Sequence, residues 1–253
     1  MNESQDHFRD DIEAEPRLPP RTDAVELTEA EILSRVLHRD GLMLVIDKPA
    51  GLPVHRGPKG GANLESAFEF LRYGLPRPPV LAHRLDRDTS GCLVLGRHRK
   101  ATASLGLLFK HSRISKTYWA VVEGGPAEDE GTIDMPLGRL NAERGWWMKP
   151  DPAGLKAVTN FRVLGRGDGL AWMALEPVTG RTHQLRVHSS ASGWPIVGDN
   201  IYGSGPRFGE PTLHLHAREI VIPISRNKDP IRVVAPAPPH LHARLRACGW
   251  NGE

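Results

Sequence analysis

Apolar runs of strand length dominate the chain and restrict its fold more than any other feature. Six of them follow residue 90, at positions 92–95, 117–122, 157–164, 170–175, 213–215 and 231–234. Helical periodicity is limited to stretches near 99–110, 182–191 and 238–247. Because strands outnumber helices and do not alternate steadily with them, the sequence predicts an α+β fold with a mixed sheet, not a doubly wound parallel one.

Two further elements are predicted ahead of these runs. Apolar residues lead through the turn signal at 39–41 into an apolar run at 42–46, which indicates a β-hairpin. Asn63 is a suitable cap for an amphipathic helix, because four apolar residues follow it at helical spacing. The residues of that apolar face are Leu64, Ala67, Phe68 and Leu71.

The N-terminal segment differs in composition from the rest of the chain. Its first 24 residues are acidic, contain three prolines and lack apolar periodicity, a composition that does not support a packed core. Thr28 and Glu31 then fit a capping box at the start of a short helix. We therefore expect a flexible tail at 1–24 and a single folded domain at 25–253.

The net charge of +3 hides an uneven distribution of charge. Residues 1–40 hold 11 acidic and 5 basic side chains, whereas residues 41–253 hold 19 acidic and 28 basic ones. Arg outnumbers Lys by 25 to 8, which suits planar, bidentate contacts to the phosphates of a polyanion. A genome that favours Arg codons explains the same bias, so charge alone leaves both interpretations open.

Several classes of protein are disfavoured by simple features. No apolar run approaches the roughly 20 residues that span a bilayer, and the N-terminus is acidic where a signal peptide is basic and then apolar. Cys92 and Cys248 lack the CxxC spacing of zinc ribbons and redox motifs. We expect a cytoplasmic protein with no membrane partner.

The densest polar cluster in apolar surroundings lies between two strand-like runs, at 83–91. It contains Asp86, Asp88, His83 and Arg84, and loops held by strands are where catalytic residues concentrate. A polar surface turn, with the aspartates bonded to the local backbone, produces the same pattern. Taken alone, this cluster does not distinguish a catalytic loop from a polar surface turn.

Two other segments combine polar and apolar residues. At 180–188, Thr182 is a plausible helix cap, and Arg186 lies on the same helix face, beside the helix N-terminus. This pattern fits either a functional arginine or a solvated cationic face. The strand at 115–124 places Tyr118 and Trp119 on opposite sides, with one ring in the core. A buried structural tyrosine is the usual outcome for such a strand.

The 12 histidines raise the question of a metal site. His214 and His216 share one face of a probable strand, yet the chain has no HExxH motif and no paired cysteine ligands. GxxxxGK[ST] and GxSxG motifs are also absent from the sequence. We expect no metal or cofactor, with a metal-dependent hydrolase as the weaker alternative that a chelator would distinguish.

The cluster HRLDRDTSG at 83–91 resembles the signature of the RluA-type pseudouridine synthases. Five further segments resemble family motifs in the family's order. They are DKPAGLPVH at 47–55, KTY at 116–118, GRTHQLRVH at 180–188, GDNIYG at 198–203 and LHA at 215–217. The resemblance covers roughly residues 33–247, and the conjunction of ordered motifs outweighs the purely structural interpretations of each one.

The resemblance implies a role for particular residues. Asp86 corresponds to the catalytic aspartate, Tyr118 to the active-site tyrosine and Arg186 to the arginine that pairs with the aspartate. Arg84 matches the residue that helps displace the target nucleotide from its helix. Further candidates for RNA contact or base flipping are His83, Arg181 and His183.

The resemblance also implies a fold, a reaction and a partner. The family fold is a mixed, largely antiparallel sheet with flanking helices and a central RNA-binding cleft, and it uses no cofactor or metal. We expect a monomer that isomerises uridines in a stem-loop of ribosomal or transfer RNA, not DNA. Only about 40 residues precede the motifs, too few for the S4-type domain of many relatives. The alternative is a catalytically inactive RNA-binding ribosome assembly factor, disfavoured by the presence of all three site residues.

Overall fold

A computed structural model describes residues 26–56, 60–141, 147–206, 209–225 and 227–252. The expected flexible tail at 1–24 lies outside the described residues. Within them, α1 at Glu29–Ser34 begins with the predicted capping box, because the Thr28 side chain accepts from the Glu31 amide and the Glu31 carboxylate accepts from the Thr28 amide.

One ten-stranded sheet organises the chain. Its strands run in the order β1-β2-β4-β11-β5-β10-β9-β6, with β12 paired to β11 and β3 paired to β4. All these pairs are antiparallel except β4 with β11, which is parallel. The strands are β1 Val36–Arg39, β2 Met43–Lys48, β3 Val80–Leu81, β4 Ser90–Gly96, β5 Ser115–Glu123, β6 Glu130–Asp134, β9 Val158–Gly167, β10 Leu170–Pro177, β11 Leu215–Ile222 and β12 Ile231–Val234. The predicted mixed, largely antiparallel sheet is confirmed.

A second, two-stranded sheet joins β7 at Leu137–Arg139 to β8 at Met148–Pro150. The remaining helices are α2 at Arg99–Lys110, α3 at Gln184–Ala191 and α4 at Pro239–Ala247, close to the three stretches that periodicity predicts. No helix in the described ranges is both long and apolar enough to cross a bilayer.

The predicted helix after Asn63 is present, but it is a 3-10 helix at Leu64–Leu71. The Asn63 side chain accepts from the Ser66 amide, as expected of a cap. Its four predicted apolar residues are buried. Apolar residues spaced three and four apart make one face in either type of helix, so periodicity alone does not separate the two.

The sheet places two apolar cores beside each other. One core contains side chains from β2, β4 and the 3-10 helix, and the other contains side chains from β5, β10 and the segment before β11. Tyr118 packs against both, whereas its neighbour Trp119 lies on the opposite face near α4, in edge contact with Trp172. The predicted separation of the two rings is therefore confirmed, and Tyr118 stands where the cores meet.

Close approach of β4 to β11 explains the glycine that ends the HRLDRDTSG segment. Gly91 has a φ of +102°, and a Cβ there would lie 2.3 Å from the Ala217 carbonyl oxygen. Only glycine tolerates both the dihedral angle and the contact. The parallel pairing of these strands thus fixes where the loop at 82–89 enters the sheet.

Candidate active site

A cleft of about 540 Å³ opens where this loop, β5 and the segment leading into α3 meet. All seven residues that the sequence singles out line it, although they come from three separate stretches of the chain. They are His83, Arg84, Asp86, Tyr118, Arg181, His183 and Arg186. Of the described lining residues, Asp86 is the one carboxylate, while Arg84, Arg87, Lys116, Arg181 and Arg186 are cationic.

Asp86 presents one carboxylate oxygen to two nitrogen groups. Its Oδ2 lies 3.6 Å from Nη1 of Arg186 and 3.7 Å from Nε2 of His183. The Asp86 side chain is 32% exposed, whereas those of Arg186 and His183 are 4% and 7% exposed. The carboxylate is therefore reachable from the cleft, and the groups that face it are fixed inside the protein.

The firm partner of Arg186 is Asp199, not Asp86. Nε and Nη2 of Arg186 each donate to the Asp199 carboxylate at 2.7 Å, in a bidentate arrangement. This corrects the expectation that the bidentate pair forms with Asp86, which receives only the longer contact from Nη1. Arg186 lies closer to Asp199 because Asp199 is buried and its charge requires the closer pairing.

Asp199 also ties this ion pair to the GDNIYG segment. Its Oδ1 accepts from the amides of Ile201 and Tyr202. Burial raises the pKa of Asp199, but the bonds from Arg186 and from these amides lower it by more. Asp199 is a site residue for which sequence analysis predicts no role, although the GDNIYG segment that contains it resembles a family motif.

His183 occupies the N-cap position of α3 in a left-handed conformation, with a φ of +52°. The expectation that Thr182 caps this helix is therefore wrong. The turn is closed instead by the Gln184 side chain, whose oxygen accepts from the Arg181 amide and the Thr179 hydroxyl. Such a conformation costs about 1–3 kcal/mol in a non-glycine residue and is concentrated at functional sites.

A hydrogen-bond chain determines which nitrogen of His183 carries its proton. The Tyr202 hydroxyl accepts from the Met148 amide at 2.9 Å and lies 2.8 Å from Nδ1 of His183. Burial lowers the pKa of His183, which favours the neutral ring. Tyr202 then donates to Nδ1, so the proton of the imidazole resides on Nε2 and faces Asp86.

Lys48 anchors the loop that carries Asp86. Its buried ammonium donates to three carbonyl oxygens, those of Pro49, Arg87 and Thr89, at 2.7–2.9 Å. Burial lowers the pKa of Lys48 to about 7, while the nearby charges of Asp88 and Asp86 oppose that shift. Lys48 belongs to the DKPAGLPVH segment that resembles a family motif, but the sequence did not indicate that this lysine holds the loop that carries Asp86.

Tyr118 lies on β5, opposite Leu175 of β10 and Ala217 of β11. Burial, and to a smaller extent the charge of Asp86, raise the pKa of its phenol. The hydroxyl is therefore protonated at neutral pH and can donate a hydrogen bond inside the cleft.

The four residues expected to contact RNA differ in their surroundings. Arg84 and Arg181 are exposed, and Nε of Arg181 donates to the Lys156 carbonyl. His83 instead stacks on Phe109 at 4.3 Å between ring centroids, and its Nε2 accepts from the Val94 amide. Burial lowers the pKa of His83 to about 3, so a neutral ring bound within the protein supports the loop and is poorly placed to contact RNA. His183, the fourth, lies beside Asp86 as described.

The histidines considered for a metal site have other partners. Nδ1 of His216 lies 2.9 Å from the Ser90 hydroxyl, and Nδ1 of His214 lies 2.7 Å from the Thr212 carbonyl oxygen. Within the described ranges, no group of three or more His, Cys, Asp or Glu side chains is arranged to hold a metal ion.

A carboxylate faced by a fixed arginine and a fixed histidine, in a basic cleft on this mixed sheet, agrees with what comparison with known proteins finds. Residues 42–191 match the family described as RNA pseudouridylate synthase. A Zymomonas mobilis protein, described as an uncharacterized RNA pseudouridine synthase, is 43% identical over 211 residues, covering 82% of this chain and 95% of its own. Ribosomal large subunit pseudouridine synthase C of Vibrio cholerae is 34% identical, covering 90% of this chain and 72% of its own.

Solved structures agree with these relatives. Human RNA pseudouridylate synthase domain containing 4 superposes with a TM-score of 0.71 at 28% identity, covering 86% of this chain and 95% of that one. Human RNA pseudouridylate synthase domain containing 1 superposes with a TM-score of 0.69 at 31% identity, covering 84% of this chain and 86% of that one. The chain belongs to the RNA pseudouridylate synthase family, and its predicted RluA-type kinship is confirmed. It is accordingly an isomerase that acts on RNA.

Proposed function

We propose that Asp86 is the catalytic aspartate and that it isomerises specific uridines in structured ribosomal or transfer RNA. The observation that carries this proposal is the placement of Asp86 as the sole carboxylate among the described residues of a cationic cleft, with Arg186 and His183 at one of its oxygens. Cations around the rim suit a phosphate backbone. A partly exposed carboxylate suits reaction with the nucleoside.

The reaction requires one group that can act on the sugar or the base. The bond from C1′ to N1 breaks, the uracil rotates, a bond forms between C5 and C1′, and the C5 proton moves to N1. Asp86 can attack C1′, attack the base, or remove the 2′ proton to give a glycal. Each route begins with an ionised Asp86 and regenerates it, so no oxidant, reductant or metal is required for the atoms to balance.

Two nitrogen groups face Asp86, but neither forms a short ion pair with it. At about 4 Å and an effective dielectric near 20, one cation contributes roughly 4 kcal/mol of attraction. Because Asp199 holds Arg186 more closely, part of that field is cancelled at Asp86. The result is a carboxylate that is not locked in a short ion pair, which suits a nucleophile or base.

Tyr118 and Arg84 complete the proposed machinery. The Tyr118 ring offers a face for the extruded uracil, and its hydroxyl lies in the cleft for hydrogen bonding near C5. Arg84 is exposed two residues before Asp86, and its planar guanidinium can stack in the space that the flipped base leaves. Arg181 is proposed to contact the backbone from the opposite wall, and His183 to hydrogen-bond Asp86.

We further propose that a compact stem-loop is the substrate and that the protein acts as a monomer in the cytoplasm. A uridine in a loop costs less to extrude than a paired one, where unstacking takes a few kcal/mol. Accordingly, Arg84→Ala is expected to slow modification of a structured loop more than modification of an RNA whose uridine is already unstacked. Single-turnover rates for both RNAs test this, and equal losses would contradict the role of Arg84.

The target is identified by mapping pseudouridines in cellular RNA. Ribosomal and transfer RNA from cells with and without the protein are compared, and the lost site is then placed in a naked stem-loop. We expect that stem-loop to be modified by the purified protein alone. Modification confined to assembled ribosomal particles would contradict the compact substrate.

A further inference from the structure

Lys116 is a charged group in the cleft that the reaction as described does not use. It precedes Tyr118 by two residues on β5, so its side chain leaves the same face of the strand and also lines the cleft. Within the described part of the chain, the side-chain ammonium of Lys116 forms no hydrogen bond or ion pair.

The surroundings of Lys116 make its charge costly. Burial lowers the pKa of Lys116, and none of the carboxylates that the structure describes offsets that effect. A half-buried cation without a partner is unfavourable in the free protein. Packing of the aliphatic stem of Lys116 does not require a charged end group. The ammonium therefore needs an anionic ligand to compensate for its desolvation.

The ammonium of Lys116 faces the opposite wall of the cleft. Its Nζ lies opposite Gly180, at 3.9 Å from where a Cβ would stand. Gly180 belongs to the segment leading into α3, across the cleft from β5. The other cations differ, because Arg186 is held by Asp199, Arg181 donates to a backbone carbonyl and Arg84 stands exposed at the rim.

We propose that Lys116 binds a phosphate group of the target nucleotide itself, beside the uracil that Tyr118 receives. The inference rests on the proposed function, since it takes the nucleotide at Asp86 as its reference. Phosphate and base of one nucleotide are separated by a single ribose, and Lys116 and Tyr118 are separated by one strand repeat on one face. Lys116 would thereby select nucleotides in a chain over free uridine.

The test is a binding cycle that needs no turnover. Uridine, uridine 3′-monophosphate and uridine 5′-monophosphate are titrated by calorimetry into wild type, Lys116→Met and Lys116→Arg. One charge-assisted phosphate contact predicts that wild type binds one monophosphate about tenfold to hundredfold more tightly than uridine. Lys116→Met should bind all three alike, and Lys116→Arg should restore part of the preference.

Controls separate this role from a structural one. Lys100→Met removes an exposed lysine outside the cleft and should leave the phosphate preference intact. Lys116→Met should unfold at a temperature no lower than wild type, because an uncompensated charge has been removed. A marked loss of stability would instead indicate a structural lysine.

The outcomes keep the two proposals apart. A wild type without phosphate preference, including failure of all three probes to bind, would overturn the role of Lys116, as would a Lys116→Met variant that keeps the preference. Neither result bears on whether Asp86 forms pseudouridine, which is read separately in a product assay. Conversely, an active Asp86→Asn variant would refute the catalytic proposal and leave the binding cycle interpretable.

Discussion

At the scale of single residues, the site depends on how one arginine divides its contacts between two carboxylates. Arg186 binds Asp199 through two nitrogens and faces Asp86 with the third. A lysine retains the charge but cannot reproduce this planar fork. The geometry around Asp86 therefore depends on the shape of the guanidinium as well as on its charge.

We expect Arg186→Lys to lower single-turnover pseudouridine formation by about a hundredfold or more, as for loss of a preorganised electrostatic contact. It should also lower the free energy of unfolding by about 1–3 kcal/mol, because buried acceptors of Asp199 lose a donor. Arg99→Lys, at an exposed arginine that does not line the cleft, is the matched control. Turnover of Arg186→Lys near that of the control would show that the bidentate geometry is dispensable.

The hydroxyl of Tyr118 is separable from its ring. We expect Tyr118→Phe to bind RNA almost normally, because the stacking face remains, and to form product about 10²–10⁴ times more slowly. Tyr73→Phe, which alters a tyrosine that does not line the cleft, should have no effect on turnover. Unchanged product formation by Tyr118→Phe would leave that residue a stacking role only.

At the scale of elements, the loop between β3 and β4 is held from β2. Lys48 at the end of β2 donates to the carbonyls of Arg87 and Thr89, and the Gly51 amide donates to the same Arg87 carbonyl. The Arg87 side chain in turn donates to the Gly51 carbonyl. Two segments far apart in sequence thus form one rigid unit under Asp86.

This unit predicts a coupled loss of stability and rate. Lys48→Met removes the ammonium donor from three carbonyl oxygens, of which that of Arg87 keeps the Gly51 amide, so we expect the free energy of unfolding to fall by about 1–3 kcal/mol. The rate constant should fall more than substrate affinity, because the loop bearing Asp86 is no longer fixed. Urea unfolding and single-turnover kinetics measure both, with Lys100→Met as control. A destabilised variant with normal kinetics would argue against a positioning role.

Local elements were largely predictable from sequence, whereas partners across the fold were not. The capping box at Thr28 and the strand alternation at Tyr118 depend on neighbouring residues, so periodicity suffices to predict them. The preference of Arg186 for Asp199 depends on which carboxylate tertiary packing buries, and the start of α3 depends on how Gln184 closes a turn. Neither is set by local spacing, so the sequence predicted the pair with Asp86 but not the closer one with Asp199, and it predicted the wrong cap.

At the scale of the whole molecule, buried neutral histidines couple folding to pH. Burial lowers the pKa of His214 and His216 to about 4 and that of His83 to about 3. Unfolded histidines have pKa values near 6.5, so below that pH the unfolded state binds more protons. The stability that these histidines contribute by staying neutral is therefore fully present above about pH 6.5, and it is lost as the pH falls toward 4.

We expect the free energy of unfolding to fall by several kcal/mol between pH 6.5 and 4. In His216→Gln, a fully buried histidine is replaced by a group that does not titrate, so the slope over this window should be shallower. Urea unfolding at a series of pH values measures both proteins. Parallel pH profiles would mean that His216 contributes nothing to the acid sensitivity.

The central claim is that Asp86 performs the isomerisation, and Asp86→Asn tests it most directly. The substitution preserves the shape of the side chain while removing its charge and nucleophilicity. RNA extracted from cells that lack the protein is incubated with wild type or variant, and pseudouridine is measured at the mapped site under single-turnover conditions. We predict a folded variant that binds RNA as wild type does and forms no product, whereas turnover within tenfold of wild type would contradict the assignment.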